Sequence, residues 1–197
     1  DNYLSKYENG KYTDEAIQKI KDIKFTQSRD SVFALFIEAL KRKTDSSKST
    51  IQIKPSNKVL MGTYVNIELN NLHPNEVYTL HAYRRKWNGL FYSFAIFHSD
   101  ENGQVYLNKN GPKPGTYSGV DSLGIFWSMT RPSHEGLELP FQINELEWNT
   151  IYFNLEMENK IIAKEKLTLL DKSPSVMTRK ILNDTLTAEF HYPKNKN

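Results

Sequence analysis

The chain contains no cysteine. Disulfides, thiolate nucleophiles and cysteine-ligated metals are therefore excluded, although this does not fix a compartment. Long hydrophobic runs are missing too. The longest, Val32 to Ile37, falls far short of the roughly 20 residues that a membrane-spanning helix needs. A dominant charge of one sign is also lacking. Lysine and arginine number 26 against 23 aspartates and glutamates, a net charge of +3 with both signs interspersed. Such a balance gives no argument for nucleic acid or a membrane surface as partner. What is present suffices for a core: 38% of the 197 residues are hydrophobic and 12% aromatic. That length allows one large domain, or one ordinary domain with an appendage.

The pattern along the chain divides it into a head and a body. Residues 1–12 are polar and read as loose. Thr13, with Asp14 and Glu15 behind it, is a helix start, a capping hydroxyl followed by acids that face the helix dipole. Ile17, Ile20 and Ile23 then recur at near-helical spacing. A second helix is predicted from about Ser28 or Asp30, carrying Phe33, Leu35, Phe36, Ile37 and Leu40 and ending in Lys41, Arg42 and Lys43. Its aromatic residues need burial, which a face of the body could supply. "TDSSKS" (44–49) reads as linker.

From residue 50 the period changes to two. Val65, Ile67 and Leu69 alternate with Asn66 and Glu68, and Ile151, Phe153, Leu155 and Met157 alternate with polar neighbours. Asn88-Gly89 and Asn102-Gly103 mark hairpin turns, because both residue types tolerate positive φ. Asn159 begins a third turn. Strands at this density, with no helices between them, predict an antiparallel β-sandwich. The expected division is an extension over 1–49, a sandwich over 50–172 and connecting strands over 173–197.

The chemistry-bearing motifs resolve into ordinary features. "GTYSG" (115–119) lacks the G-x-S-x-G spacing of a nucleophile elbow, so Ser118 reads as a turn serine. The five histidines are scattered without zinc-ligand spacing. His81 and His98 lie in strands and could meet across a hairpin, although ordinary strand histidines are the simpler reading. "DENG" (100–103) lacks calcium-loop spacing and reads as a turn. "YRRKW" (83–87) mixes cations and aromatics that could bind phosphate or stack bases, but reads as a solvated strand end with arginine stems on tyrosine. No catalytic set and no cofactor or metal site emerges.

Three further stretches fall in a telling order: "NNLHPNEVYTLHA" (70–82), "FYSFAIFHSDENGQVYL" (91–107) and "GTYSGVDSLGIFWSM" (115–129). Together they resemble the N-terminal domain of the acyl-CoA thioester hydrolase and bile acid-CoA:amino acid N-acyltransferase family. The family's signature falls on Tyr117, Gly119, Val120, Asp121, Gly124, Trp127 and Ser128, with Leu123 and Ile125 as apolar replacements. The resemblance covers roughly residues 55–192, more loosely after 135; the helical head is not part of it. It implies an immunoglobulin-like sandwich. It also implies that the chemistry lies in a second, C-terminal α/β-hydrolase domain, where a Cys or Ser nucleophile with Asp and His cleaves acyl-CoA or transfers the acyl group to an amino acid. "VMTRKILNDTLTAEFHYPKNKN" (176–197) resembles the strands that lead into that domain.

Because the chain starts at Asp1 rather than methionine and carries no hydrolase pattern, it is expected to be a fragment with no catalytic residue of its own. Its partners would be the C-terminal hydrolase domain of the same polypeptide and, for the parent enzyme, acyl-CoA. Cytoplasmic and exported locations both stay open. Phe126 and Trp127 are expected to fill the sandwich core near one end. The flexible backbone at its two glycines and the carboxylate of Asp121 suit the loop before them to docking on the hydrolase domain. The candidate contact residues are Tyr117, Gly119, Asp121, Gly124 and Trp127. The rival reading is a self-sufficient module that binds a carbohydrate, peptide or surface protein through Tyr83, Trp87 and Tyr92.

Overall fold

The computed structural model describes residues 29–42, 48–133, 136–182 and 187–194. The expected first helix (13–23) and most of the Thr44–Ser49 linker lie outside them. The second helix forms as α1, Arg29–Lys41, and its last-turn lysine pairs with Glu38 at 3.0 Å.

The strands assemble into two sheets stacked face to face. One has three strands: β1 (Thr50–Lys54), β3 (Asn66–Asn70) and β6 (Val105–Tyr106), in the order β1-β3-β6. The other has five, in the order β2-β8-β7-β4-β5. These are β2 (Lys58–Leu60), β4 (Val77–Lys86), β5 (Gly89–His98), β7 (Thr150–Met157) and β8 (Lys160–Leu170). Pairing is antiparallel except where the short edge strand β2 lies parallel to β8. A separate hairpin, β9 (Val176–Leu182) with β10 (Thr187–Pro193), follows.

The period-two pattern explains the packing. On β4 the row Tyr78, Leu80, Ala82 points between the sheets, where it meets Ile51 and Ile53 of β1 and Ile67 and Leu69 of β3. The opposite row of the five-stranded sheet does not face water. Tyr83, Tyr92, Phe94 and Ile96 lie under α1, which covers them with Phe33, Phe36 and Ile37, all fully buried. The fold is thus a sandwich with a helix on its outer face. This is why β5 reads as a nearly continuous apolar run rather than a clean alternation. Full burial of a phenylalanine contributes about 1.5–3 kcal/mol, so two of them hold α1 firmly.

The turns form where the sequence placed them, with one shift of register. The β4–β5 hairpin pairs Lys86 with Gly89, so its loop is Trp87–Asn88 and Gly89 opens the next strand at φ 123°. Between β7 and β8 the loop is Glu158–Asn159, with φ 50° and 61°, the left-handed pair that matches strand twist. At Asn102-Gly103 the Asp100 carboxylate accepts the backbone N–H groups of Asn102 and Gln104. A Cβ on Gly103 would stand 2.1 Å from the Leu72 carbonyl oxygen, so only glycine fits that turn.

Residues 113–130 run along the free edge of β5. Lys113 and Thr116 donate backbone N–H groups to Ile96 and Phe94, and Tyr92 and Thr130 exchange a pair. Between these anchors the chain bulges outward as a single helical turn, α2 (Gly124–Trp127). This placement sets the geometry of the signature stretch at one end of the sandwich.

Candidate functional site

The five candidate contact residues of the signature form one small structure. Tyr117 is buried, and its ring lies edge-on to Trp127 with centroids 6.2 Å apart. A Cβ on Gly124 would stand 2.2 Å from the Tyr117 ring, so glycine is what lets α2 close over the tyrosine. Gly119 takes φ 78°, a conformation costly for other residues. Asp121 organises the turn. One carboxylate oxygen accepts the Leu123 backbone N–H at 2.8 Å, and the other accepts the Trp127 indole N–H at 2.8 Å. The Gly124 N–H reaches the Asp121 carbonyl.

Those bonds hold the Asp121 carboxyl below its ordinary range, the Trp127 indole contributing most and the Leu123 N–H next. A carboxyl with a lowered folded pKa stabilises the fold at pH above its unfolded value, about 3.9, and the contribution disappears as pH falls through the folded value. The Trp127 indole ¹H–¹⁵N resonance is therefore expected to stay constant from neutral pH down to about 3.9 and to move only below it. A midpoint above that value would contradict the geometry.

The expectation for Trp127 is overturned. It does not fill the core: its side chain is 63% exposed. The reason lies in α2, which is too short to bury more than one side. Ile125 points inward and is fully buried, while the Asp121 carboxylate holds the Trp127 indole outside. Phe126 stands between the two, packed edge-on against Phe153 at 5.8 Å. Tyr64 is exposed nearby and shares a hydrogen bond with Ser122 of the loop at 2.8 Å, which ties β3's leading segment to it. Leu60, Met61, Tyr64, Val120 and Trp127 are all exposed large apolar residues of these segments.

Below the loop is an apolar cavity of about 350 Å³ at the open end of the sandwich. Val65, Leu123, Phe126, Ile151 and Leu167 wall it, Trp127 stands at its rim, and Arg84 and Lys86 of β4 reach it. Sequence reading missed this site. The signal was there, since the inward row Tyr78, Leu80, Ala82 continues to Arg84, a cation on a core-facing position.

The remaining candidates separate. Tyr83 and Tyr92 are buried under α1, so they and the exposed Trp87 do not form the binding face of the rival reading. In "YRRKW" the cations stack, but on other partners than the tyrosine: Arg85 lies 4.0 Å over Trp148 and Lys86 4.4 Å over Phe91. His81 pairs with Phe94 and His98 with Val77, so the two histidines do not meet. Instead His81 is buried between Tyr92, at 2.8 Å from Nδ1, and Glu156, at 3.0 Å from Nε2, a group that sequence reading did not assemble. Among the described residues no three His, Asp or Glu side chains converge to hold a metal ion. No described helix is long and apolar enough to cross a membrane.

A mainly β chain with two stacked sheets, and with its signature loop turned outward, is a sandwich domain. Residues 62–182, well over half of the chain, match the acyl-CoA thioester hydrolase/BAAT N-terminal region, and the chain belongs to that family. Human bile acid-CoA:amino acid N-acyltransferase is 28% identical over 113 residues, covering 53% of this chain and 26% of the relative. Mouse acyl-coenzyme A thioesterase 1 is 26% identical over 83 residues, 42% of this chain and 20% of the relative. Mouse acyl-coenzyme A thioesterase 6 is 26% identical over 106 residues, 50% and 25%. The matches thus span only about a fifth to a quarter of these relatives' length.

Proposed function

We propose that the chain is the non-catalytic N-terminal domain of an acyl-CoA thioesterase or acyltransferase. It packs on and supports a C-terminal α/β-hydrolase domain of the same polypeptide, which carries out the reaction on acyl-CoA. The observation that carries this reading is the family match over 62–182 combined with relatives of several times the matched length. The exposed apolar residues of the signature loop and of the segment before β3 support it, because exposed apolar side chains of this kind suit a contact site. In the same reading the sandwich is immunoglobulin-like and spans about 50–172, with the strands beyond it leading to the hydrolase domain. Residues Tyr117, Gly119, Asp121, Gly124 and Trp127 form the contact with that domain, Trp127 by its exposed face and the others by fixing the turn.

The hairpin β9–β10 adds a second supporting observation. Its register puts Met177, Ile181, Phe190 and Tyr192 on one face, and the first three are more than 40% exposed. Two strands alone are marginally stable in water, so an apolar face of this kind suits cover by further chain.

The test is Asp121→Ala and Tyr117→Ala in the full-length protein. Loss of domain docking with a fall in acyl-CoA turnover is expected, because either change releases Trp127 from its fixed position. Unchanged docking together with unchanged turnover would overturn the contact assignment.

A further inference from the structure

The cavity at the open end of the sandwich combines apolar walls with a cation that has no acidic partner. Its walls are apolar and come from β7 and β8 of the five-stranded sheet, from the segment that leads into β3, and from α2 with the residues flanking it. At its edge stands Arg84, on the row of β4 that otherwise points into the core. The Arg84 side chain has no ion pair among the described residues, and its Nε is buried without a hydrogen-bond partner. Burial lowers the guanidinium's pKa, in keeping with a cation partly removed from water and not compensated by an acid. No acidic side chain is among the lining residues; the other charged one is Lys86, also a cation.

A buried donor left without an acceptor costs free energy, and an arginine whose stem merely covered a core edge would place its head in water. Here the residue is half-buried, and its Nε is buried without a partner at an apolar recess. The recess also lies at the small end of the 300–1,000 Å³ typical of ligand pockets. It has room for one alkyl chain and not for a nucleotide.

We propose that this cavity binds a single-chain fatty carboxylate, with the alkyl chain between Val65, Leu123, Phe126, Ile151 and Leu167 and the carboxylate on Arg84. This goes beyond the docking reading and does not rest on it, since every group involved belongs to the described chain. Guanidinium is suited to the task because its fixed fork of donors matches a carboxylate's two oxygens. Trp127 at the rim reports on occupancy.

The probes are octanoate and octan-1-ol, which share the alkyl chain and differ in charge. Each is titrated into the chain while the indole ¹H–¹⁵N resonances of Trp87, Trp127 and Trp148 are followed. Octanoate is expected to move the Trp127 resonance saturably and to bind about tenfold more tightly than the alcohol, as one charge-assisted hydrogen bond provides. Arg84→Gln should bring octanoate down to the alcohol's affinity, and Arg84→Lys should keep part of the preference. No saturable shift at Trp127, or equal affinity of the two probes for the unaltered chain, would overturn the proposal. The comparison of probes on the unaltered chain needs no variant, so a substitution that failed to fold would leave the outcome readable.

Discussion

Replacing Phe36 by alanine is expected to destabilise the fold by about 3–5 kcal/mol, the range for truncating a buried phenylalanine. Phe36 is fully buried and stacks on His81 with centroids 4.3 Å apart and planes 19° from parallel. It also touches Tyr92 and Tyr83, at 5.7 Å each. The gap left by alanine would be walled by aromatic rings on a rigid sheet, which cannot collapse into it. Urea unfolding measures the loss directly. Hydrogen exchange adds a local readout: amides of α1 should lose protection before those of β4 and β7. A loss under about 1 kcal/mol would mean that α1 is not an integral layer of the fold.

His81→Leu is expected to cost about 2–4 kcal/mol, for a different reason. The Glu156 carboxylate can only accept, so the Nε2 of His81 carries the hydrogen that faces it. With the ring neutral, the Tyr92 hydroxyl donates to Nδ1. One imidazole thus satisfies two buried groups on neighbouring strands. Leucine fits the volume but leaves a largely buried carboxylate and a fully buried phenol without partners. Burial, helped by the Glu156 charge, already pushes the Tyr92 hydroxyl well above its usual pKa, so it cannot escape the deficit by ionising. A triple variant, His81→Leu with Tyr92→Phe and Glu156→Leu, should recover part of the loss, since an apolar replacement of a whole polar group removes the unsatisfied partners. If the single change shifts the urea midpoint no more than a surface substitution does, the network is not structural.

Much of this fold was legible in the sequence because its determinants are local. Period-two alternation identified the strands, and Asn-Gly and Asn159 placed the hairpins to within a residue. The apolar stripe Phe33, Phe36 and Leu40 signalled that the helix had a face to bury. The family signature located the loop as well. What escaped were facts of registry and of which side a residue faces. Nothing local tells that His81 and Glu156, 75 positions apart, meet on a diagonal between β4 and β7, where Glu156 pairs with Thr79. Trp127 was misplaced because hydrophobicity argued for burial, while a single carboxylate, Asp121, holds its indole N–H at the surface. The last inward position of β4 carries an arginine, and a charge there read as a solvated strand end until the sheets closed above it.

In this account the loop, the apolar end and the amphipathic hairpin all describe a domain that completes a larger enzyme. The cavity adds a binding capacity of its own. The most direct test of the central claim compares the natural gene product with the chain alone, by intact mass and by acyl-CoA hydrolysis and transfer. The account predicts a natural product several times the length of the matched region, which turns over acyl-CoA, and a chain that by itself does not. Turnover by the chain alone would contradict it, as would an inactive natural product no larger than 197 residues.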